Sequence, residues 1–238
     1  MTPVKLAFSI APTPVISVII PAFNEERSIG LVIKSLPQNK IKEIIVVNNG
    51  STDKTAYIAK KHGARVVDEA YRGYGAACLK GISEVNDPEI VVFVDGDFSD
   101  FPEEIENLVK PIIENRADFV LGSRMIFPES RAALLPQARY GNLLAVFLIR
   151  FFFRHQFTDL GPFRAIRYKS LEEIHMVDKN FGWTVEMQIK AVKHGLRIME
   201  IPVHYRKRIG VSKITGTISG TFKAGIKIIF TIFKYLLT

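Results

Sequence analysis

Five short runs dominated by Val and Ile punctuate the first 122 residues: 15–20 (VISVII), 43–48 (EIIVVN), 64–68 (ARVVD), 89–94 (EIVVFV) and 117–122 (ADFVLG). Between them lie longer segments of mixed polarity, 25–36, 53–62, 76–84 and 102–115. Runs that are apolar throughout, rather than at every second position, indicate strands covered on both faces, and helical segments between them make parallel crossovers. Ser51 or Asp53 can cap the second helix, and Pro102-Glu103-Glu104 places proline and acids in a first turn. The pattern therefore predicts an α/β fold with a mostly parallel central sheet and helices on both faces. Such sheets bind ligands beyond the carboxyl ends of their strands. The polar clusters fall there: PAFNEE, NNGSTD, RGYG, DGDFSD and GSR follow the five runs in order.

Past residue 130 the pattern changes. Residues 139–154 read as a long apolar helix, 161–167 as a short extended piece and 184–194 as a helix. Residues 196–205 read as a strand whose Pro202 suits a sheet edge. A basic loop and a final helix over 216–238 complete the chain. On that helix Lys223, Lys227 and Lys234 fall within 40° of one another at 100° per residue, against a broad apolar remainder. This suits an amphipathic helix on an anionic membrane surface. Docking into a groove of the same domain and burial between two copies of the chain are the alternatives.

Composition adds two constraints. The chain is globular, 47% hydrophobic and 24% charged, and its single cysteine, Cys78, excludes a disulfide framework. Residues 1–130 carry 14 basic and 18 acidic side chains, a net of −4, whereas residues 131–238 carry 18 and 6, a net of +12. The second half is thus expected to meet an anion. The apolar stretch at 6–11 is too short for a signal-peptide core, and no 18 uncharged apolar residues run together. A cytoplasmic location, peripheral at the inner face of a membrane, is the expectation.

The loops narrow the chemistry. There is no GxxxxGK[ST], and RGYGAA is not GxGxxG, so neither a P-loop ATPase nor a nicotinamide enzyme is supported. Asp95-Gly96-Asp97 stands at the end of the apolar run 90–94. Two carboxylates at a strand end suit a hard divalent cation that keeps water and bridges to phosphate oxygens. Alternatively they form a turn whose acids cap the next helix.

Taken together, VIIPAFNEE at 18–26, VNNGSTD at 47–53 and Asp95-Gly96-Asp97 resemble the successive signatures of family 2 glycosyltransferases of the GT-A fold. The likeness runs in order over residues 15 to about 215. Within the family it is greatest to dolichyl-phosphate mannose and glucose synthases and bacterial polyprenyl-phosphate relatives. Supporting segments are Gly122-Ser123-Arg124, Arg139 with Asn142, DLGPFR at 159–164, WTVEMQ at 183–188, and Arg208 followed by Ser212-Lys213. The resemblance implies an N-terminal tail (1–14), a glycosyltransferase domain (15–215) and a membrane-associating helix (216–238). Within the domain, 15–122 would bind the nucleotide sugar and 123–215 the acceptor.

It also implies roles. Pro21, Ala22, Asn24, Glu25 and Asn49 would line the nucleotide pocket, with Asp53 at the base and Gly73, Gly75 and Gly96 at close approaches. Asp95 would sit near ribose and metal, and Asp97 would coordinate Mg²⁺ or Mn²⁺. Ser99 stands where dolichyl-phosphate members often carry a glutamine ligand. Ser123, Arg124, Arg139 and Arg164 would hold the acceptor phosphate, and Arg208 with Lys213 would close on the donor diphosphate. DLGPFR and the segment between Arg208 and Ser212 are each one residue shorter than the family's counterparts.

The expected reaction is hexosyl transfer from a UDP- or GDP-sugar to a polyprenyl phosphate, by an enzyme that could also self-associate. A phosphate acceptor is already ionised and needs cationic positioning rather than a general base. A hydroxyl acceptor, on a lipid or a small molecule such as a phosphoglycerate, would instead need a base, for which Glu186 and Asp159 are the candidates. Both also read as structural carboxylates, Arg164 reads equally as structural, and His204 reads as a sheet-edge histidine. A nucleotidyltransferase and a non-enzymatic nucleic-acid binder are disfavoured, the one for want of a glycine-rich N-terminal loop, the other for want of a recognition motif.

Overall fold

The structure, a computed structural model, describes residues 14–210 and 218–237, with side chains of the last helix from Ala224 onward. The predicted strands form as β1 (Ile16–Ala22), β2 (Glu43–Asn48), β3 (Arg65–Asp68), β4 (Ile90–Phe93) and β5 (Phe119–Ser123), joined by β6 (Arg164–Arg167) and β7 (Ile198–Pro202). Among the described residues they make one seven-stranded sheet in the order β3-β2-β1-β4-β6-β5-β7. Every pairing is parallel except those of β6, which runs antiparallel to both β4 and β5. The short extended piece expected at 161–167 contains β6, which takes a central place in the sheet between β4 and β5. β7 is an edge strand that ends on Pro202, which has no N–H to offer a further neighbour.

Burial on both faces follows from the continuous apolar runs. Val18, Ile20, Val46, Val92 and Val120 point into one core, against α1 (Ile29–Ser35), α2 (Thr55–Lys61) and α4 (Ile105–Ile113). The intervening Ile19, Ile45, Val47, Phe93 and Leu121 point into the other. That core is filled by α3 (Tyr74–Glu84), α6 (Pro136–Phe153), α8 (Trp183–Lys193) and α9 (Ile218–Leu237), with the shorter α5 (Pro128–Ala133) and α7 (Tyr168–Glu173) in the connections. Each fully buried Ile, Val or Phe here contributes about 2 kcal/mol of transfer free energy.

The helices begin later than the polar pattern predicts. The first starts at Ile29, not residue 25, because Asn24 takes a positive φ of 53° and the following residues form turns. The 102–115 segment opens with a 3-10 turn over Pro102–Glu104 before α4.

On α9 the helical wheel is resolved in an unexpected sense. Part of its polar stripe faces the protein: Thr231 is buried and Lys227 Nζ lies 2.7 Å from Asp178 Oδ2. Ile232 and Tyr235 are buried beside them, while Ile226, Phe230, Phe233, Leu236 and Leu237 are exposed. The helix therefore docks on its own domain through a mixed face and leaves an apolar one outward. No helix among the described residues is long and apolar enough to cross a membrane.

Candidate active site

Register brings the polar clusters to one place. Ile19 pairs with Phe93, and Pro21 and Ala22 pair with Val47 and Asn48, so the turn after β4 lies level with the end of β1. There a cavity of about 280 Å³ opens, walled by Pro21, Ala22, Phe23 and Glu25, by Asn49, and by Arg72, Gly73, Tyr74 and Ala77. Asp95, Gly96, Asp97, Asn180, Phe181 and Arg208 complete it. Of the expected nucleotide-sugar residues, Pro21, Ala22, Glu25, Asn49, Gly73, Asp95 and Gly96 line this cavity.

Two expected residues do other work. Asn24 Oδ1 accepts the Thr52 N–H at 2.8 Å, and the Asn24 N–H donates to Ser51 Oγ at 3.0 Å. Asp53 accepts the N–H groups of Glu26 (3.1 Å) and Thr55 (2.9 Å) and the Thr55 hydroxyl. Partial burial opposes ionisation of Asp53, but these bonds outweigh it and lower the pKa. Neither residue is part of the cavity wall; together they tie the loop after β1 to the start of α2.

Asn49 is 6% exposed and organises the RGYG segment, donating to the carbonyls of Glu69 and Tyr71 and accepting the Gly73 N–H at 2.9 Å. Arg72 then stacks on the Phe23 ring, 3.6 Å from its centroid. A Cβ on Gly73 or Gly75 would lie 2.1 or 2.0 Å from the carbonyl oxygen of Lys179 or Asp178, so the loop after α7 rests directly on the start of α3. Phe23, Tyr74, Asn180 and Phe181 were not foreseen. Phe23 sits inside the PAFNEE signature, but nothing in the sequence ties the 178–181 loop to this pocket.

The carboxylates form the electrostatic centre. Asp95 is pushed up to about 7 by burial and by the neighbouring Asp97 charge, against the opposing hydrogen bond from the Tyr74 hydroxyl at 3.0 Å. Asp97 Oδ1 accepts the Ser99 N–H at 2.9 Å and the Ser99 hydroxyl at 2.5 Å. Ser99, at the position of a family ligand, thus orients Asp97. Asp97 Oδ2 lies 3.2 Å from Arg208 Nη1, while Arg208 Nη2 donates to Glu25 Oε1 at 2.8 Å. Asp100 is buried, one of its oxygens has no partner, and burial with the Asp95 and Asp97 charges drives its pKa well up.

This donor set suits a hard cation. Two carboxylates that could hold it, Asp95 and Asp97, sit where mutual repulsion calls for positive charge, and the Arg208 guanidinium lies on one of them. No cluster of three His, Cys, Asp or Glu with metal-ligand placement occurs among the described residues.

The expected acceptor residues divide. Arg124 grips Asp159 bidentately, Nε to Oδ2 at 2.7 Å and Nη2 to Oδ1 at 2.8 Å, and its charge partly opposes the upward shifts of Asp95 and Asp100. Ser123 is buried and its hydroxyl is 2.6 Å from that of Thr158. Arg139 is exposed near the start of α6. Arg164 does not fit the acceptor role: it is fully buried, donates to the carbonyls of Leu160, Gly161 and Thr184, and burial pushes it down to about 10.

Neither candidate general base is free. Asp159 is fully buried on Arg124. Glu186, also fully buried, accepts the N–H groups of Val177 and Asp178, pairs with Lys190 and accepts the Tyr235 hydroxyl. It lies outside the cavity wall. His204 pairs with Glu104 and stacks on Phe127, and it is not among the residues that wall the cavity. Ser212 and Lys213 lie outside the described residues.

Known proteins similar to this chain identify its family and fold. The chain is 33% identical over 210 residues to an uncharacterised glycosyltransferase of Mycobacterium tuberculosis, covering 88% of this chain and 94% of that one. It is 30% identical over 203 residues to a dolichyl-phosphate hexose transferase of Haloferax volcanii, covering 84% and 86%. In structure it resembles the glucosyl-3-phosphoglycerate synthase of Mycobacterium tuberculosis, solved with Mn²⁺, UDP and glucosyl-3-phosphoglycerate. That match has a TM-score of 0.74 at 23% identity, over 93% of this chain and 80% of that one. Residues 17–175 match the family model described as glycosyl transferase family 2, and the chain belongs to that family of glycosyltransferases.

Proposed function

We propose that this enzyme transfers a hexosyl group from a nucleoside diphosphate sugar, UDP- or GDP-linked, to a polyprenyl phosphate at the inner face of a membrane, with Mg²⁺ or Mn²⁺. The observation that carries the acceptor class is the engagement of both candidate bases. Asp159 is committed to Arg124, and Glu186 holds backbone N–H groups and Tyr235. A sugar or lipid hydroxyl would need a base close by, whereas a phosphate monoester arrives ionised. The dolichyl-phosphate hexose transferase relative supports the same acceptor class.

Asp97, oriented by Ser99, and Asp95 would hold the divalent ion. Such an ion supplies charge neutralisation for the departing diphosphate. Arg208, already in the cavity between Glu25 and Asp97, would turn to the same diphosphate as charge develops on it. Arg124, aimed by Asp159, would orient the incoming phosphate, whose fork-like recognition arginine favours. The outward apolar faces of α6 and α9 offer a lipid contact: Phe147 and Phe151 are 61% and 68% exposed, Phe230 is 59% exposed, and Phe152 packs edge-on against Phe233 where the helices meet.

The test offers labelled sugar nucleotide and Mn²⁺ with a polyprenyl phosphate, the matching polyprenol, or 3-phosphoglycerate. Label entering the polyprenyl phosphate alone supports the reading. Label entering phosphoglycerate or the alcohol overturns it.

A further inference from the structure

The donor cavity has a wall that no signature of the family's sequence explains, the 178–181 loop, and that wall is held from behind by the C-terminal helix. Asn180 and Phe181 face the cavity, and the Lys179 carbonyl accepts the Ala76 N–H at 2.9 Å, fastening the loop to the first turn of α3. On its other side the loop is anchored at two carboxylates. Glu186 takes the N–H groups of Val177 at 3.0 Å and Asp178 at 2.6 Å, and Asp178 Oδ1 takes the N–H of Asn180 at 2.7 Å.

Both carboxylates are then gripped by α9. Tyr235 donates its hydroxyl to Glu186 Oε1 at 2.5 Å, and Lys227 Nζ lies 2.7 Å from Asp178 Oδ2. The helices are in direct contact between these bonds: a Cβ on Gly182 would fall 2.3 Å from Thr231 Oγ1. Glu186 is fully buried and Tyr235 is 8% exposed, so their charge-assisted bond lies in a desolvated place and is stronger than at the surface. Lys227, by contrast, is partly exposed and pairs with a mostly buried Asp178.

We infer that α9 is a structural part of the donor site: through Lys227–Asp178 and Tyr235–Glu186 it fixes the 178–181 loop against α3, and so sets the affinity for the nucleotide sugar. The inference rests on the cavity being the donor site. It makes Glu186, Asp178, Tyr235 and Lys227 positioning residues. It also explains why part of the polar stripe of α9 faces inward: those side chains meet the loop's carboxylates.

The test uses the full chain and follows UDP and GDP binding through the fluorescence of Trp183, the chain's one tryptophan, which begins α8 two residues after Phe181. Tyr235→Phe and Lys227→Met are each expected to weaken nucleotide binding about tenfold, as befits loss of a charge-assisted bond. The donor KM should rise in parallel and kcat at saturating donor stay within about twofold. Lys227→Arg should restore the affinity. Phe181→Ala should weaken binding directly, and adding Tyr235→Phe to it should cost less than in the wild-type background. Full additivity, or folded Tyr235→Phe and Lys227→Met proteins with wild-type donor affinity, overturns the inference while leaving the donor site intact. A wild-type protein that binds neither nucleotide overturns this inference and the donor assignment together.

Discussion

Arg208 Nη1 lies 3.2 Å from Asp97 Oδ2, so a guanidinium rests on the carboxylate expected to hold the metal. The same guanidinium bonds Glu25 at 2.8 Å, so it bridges the two acids. One guanidinium thereby offsets part of the charge of two acids. Under the proposed function, a metal ion on Asp97 would displace this guanidinium, and the donor diphosphate would become its partner.

Arg208→Gln therefore has two opposite effects. Mn²⁺ binding in the absence of nucleotide should tighten, because a competing charge has left Asp97. Sugar transfer at saturating donor should slow about 100-fold, because a donor aimed at developing charge has gone. Metal titration and kcat on the same preparation check both.

Gly75→Ala should weaken the nucleotide site without touching a ligand. Its Cβ would fall 2.0 Å from the Asp178 carbonyl, so the 178–181 loop has to lift off α3. Overpacking of this kind costs about 1–3 kcal/mol. A lowered Tm with a raised donor KM is expected, measured by thermal unfolding and initial rates.

Away from the site, Asp118 and Arg197 give a pH signature. Hydrogen bonds from the Arg197 side chain, at 2.7 and 2.9 Å, hold the Asp118 carboxyl down to about 2. Because the folded value lies below the unfolded one, the pair stabilises the fold above about pH 4 and is lost as pH falls through about 2. Asp118→Asn should cost about 1 kcal/mol at pH 7, reduced from the full linkage value by the solvent around Arg197. Denaturant unfolding of both proteins should show that difference shrinking towards pH 2.

The outward faces of α6 and α9 predict a lipid-binding phenotype separate from catalysis. Replacing Phe147, Phe151 and Phe230 by Ser removes three exposed aromatic side chains. Co-sedimentation with anionic vesicles should fall more than about tenfold, since each buried aromatic is worth about 2 kcal/mol. Nucleotide affinity should stay unchanged.

The parallel half of the fold was legible because strands buried on both faces leave continuous Val and Ile runs, and their loops carry the polar clusters. β6 was harder to assign. Four residues, RAIR, hold too little pattern to show that the chain returns antiparallel between β4 and β5. Arg164 illustrates the same limit: the resemblance suggested a phosphate, whereas the carbonyls of Leu160 and Gly161 in the turn just before it and of Thr184 in α8 satisfy it in the core. The cavity walls after β1, β2, β3 and β4 follow from sequence order, since each stands at or just after a strand end. The 178–181 wall does not, because only tertiary packing brings it to α3.

The most direct test of the account is nucleotide binding to Asp97→Ala, measured by titration calorimetry with UDP and GDP, with and without Mn²⁺. Wild-type protein should bind one of the two nucleotides at least about tenfold more tightly when Mn²⁺ is present. Asp97→Ala, with an unchanged fold by circular dichroism, should lose that metal dependence and all transfer activity. A folded Asp97→Ala protein that keeps Mn²⁺-dependent binding and full turnover would contradict the assignment of this cavity as a metal-assisted donor site.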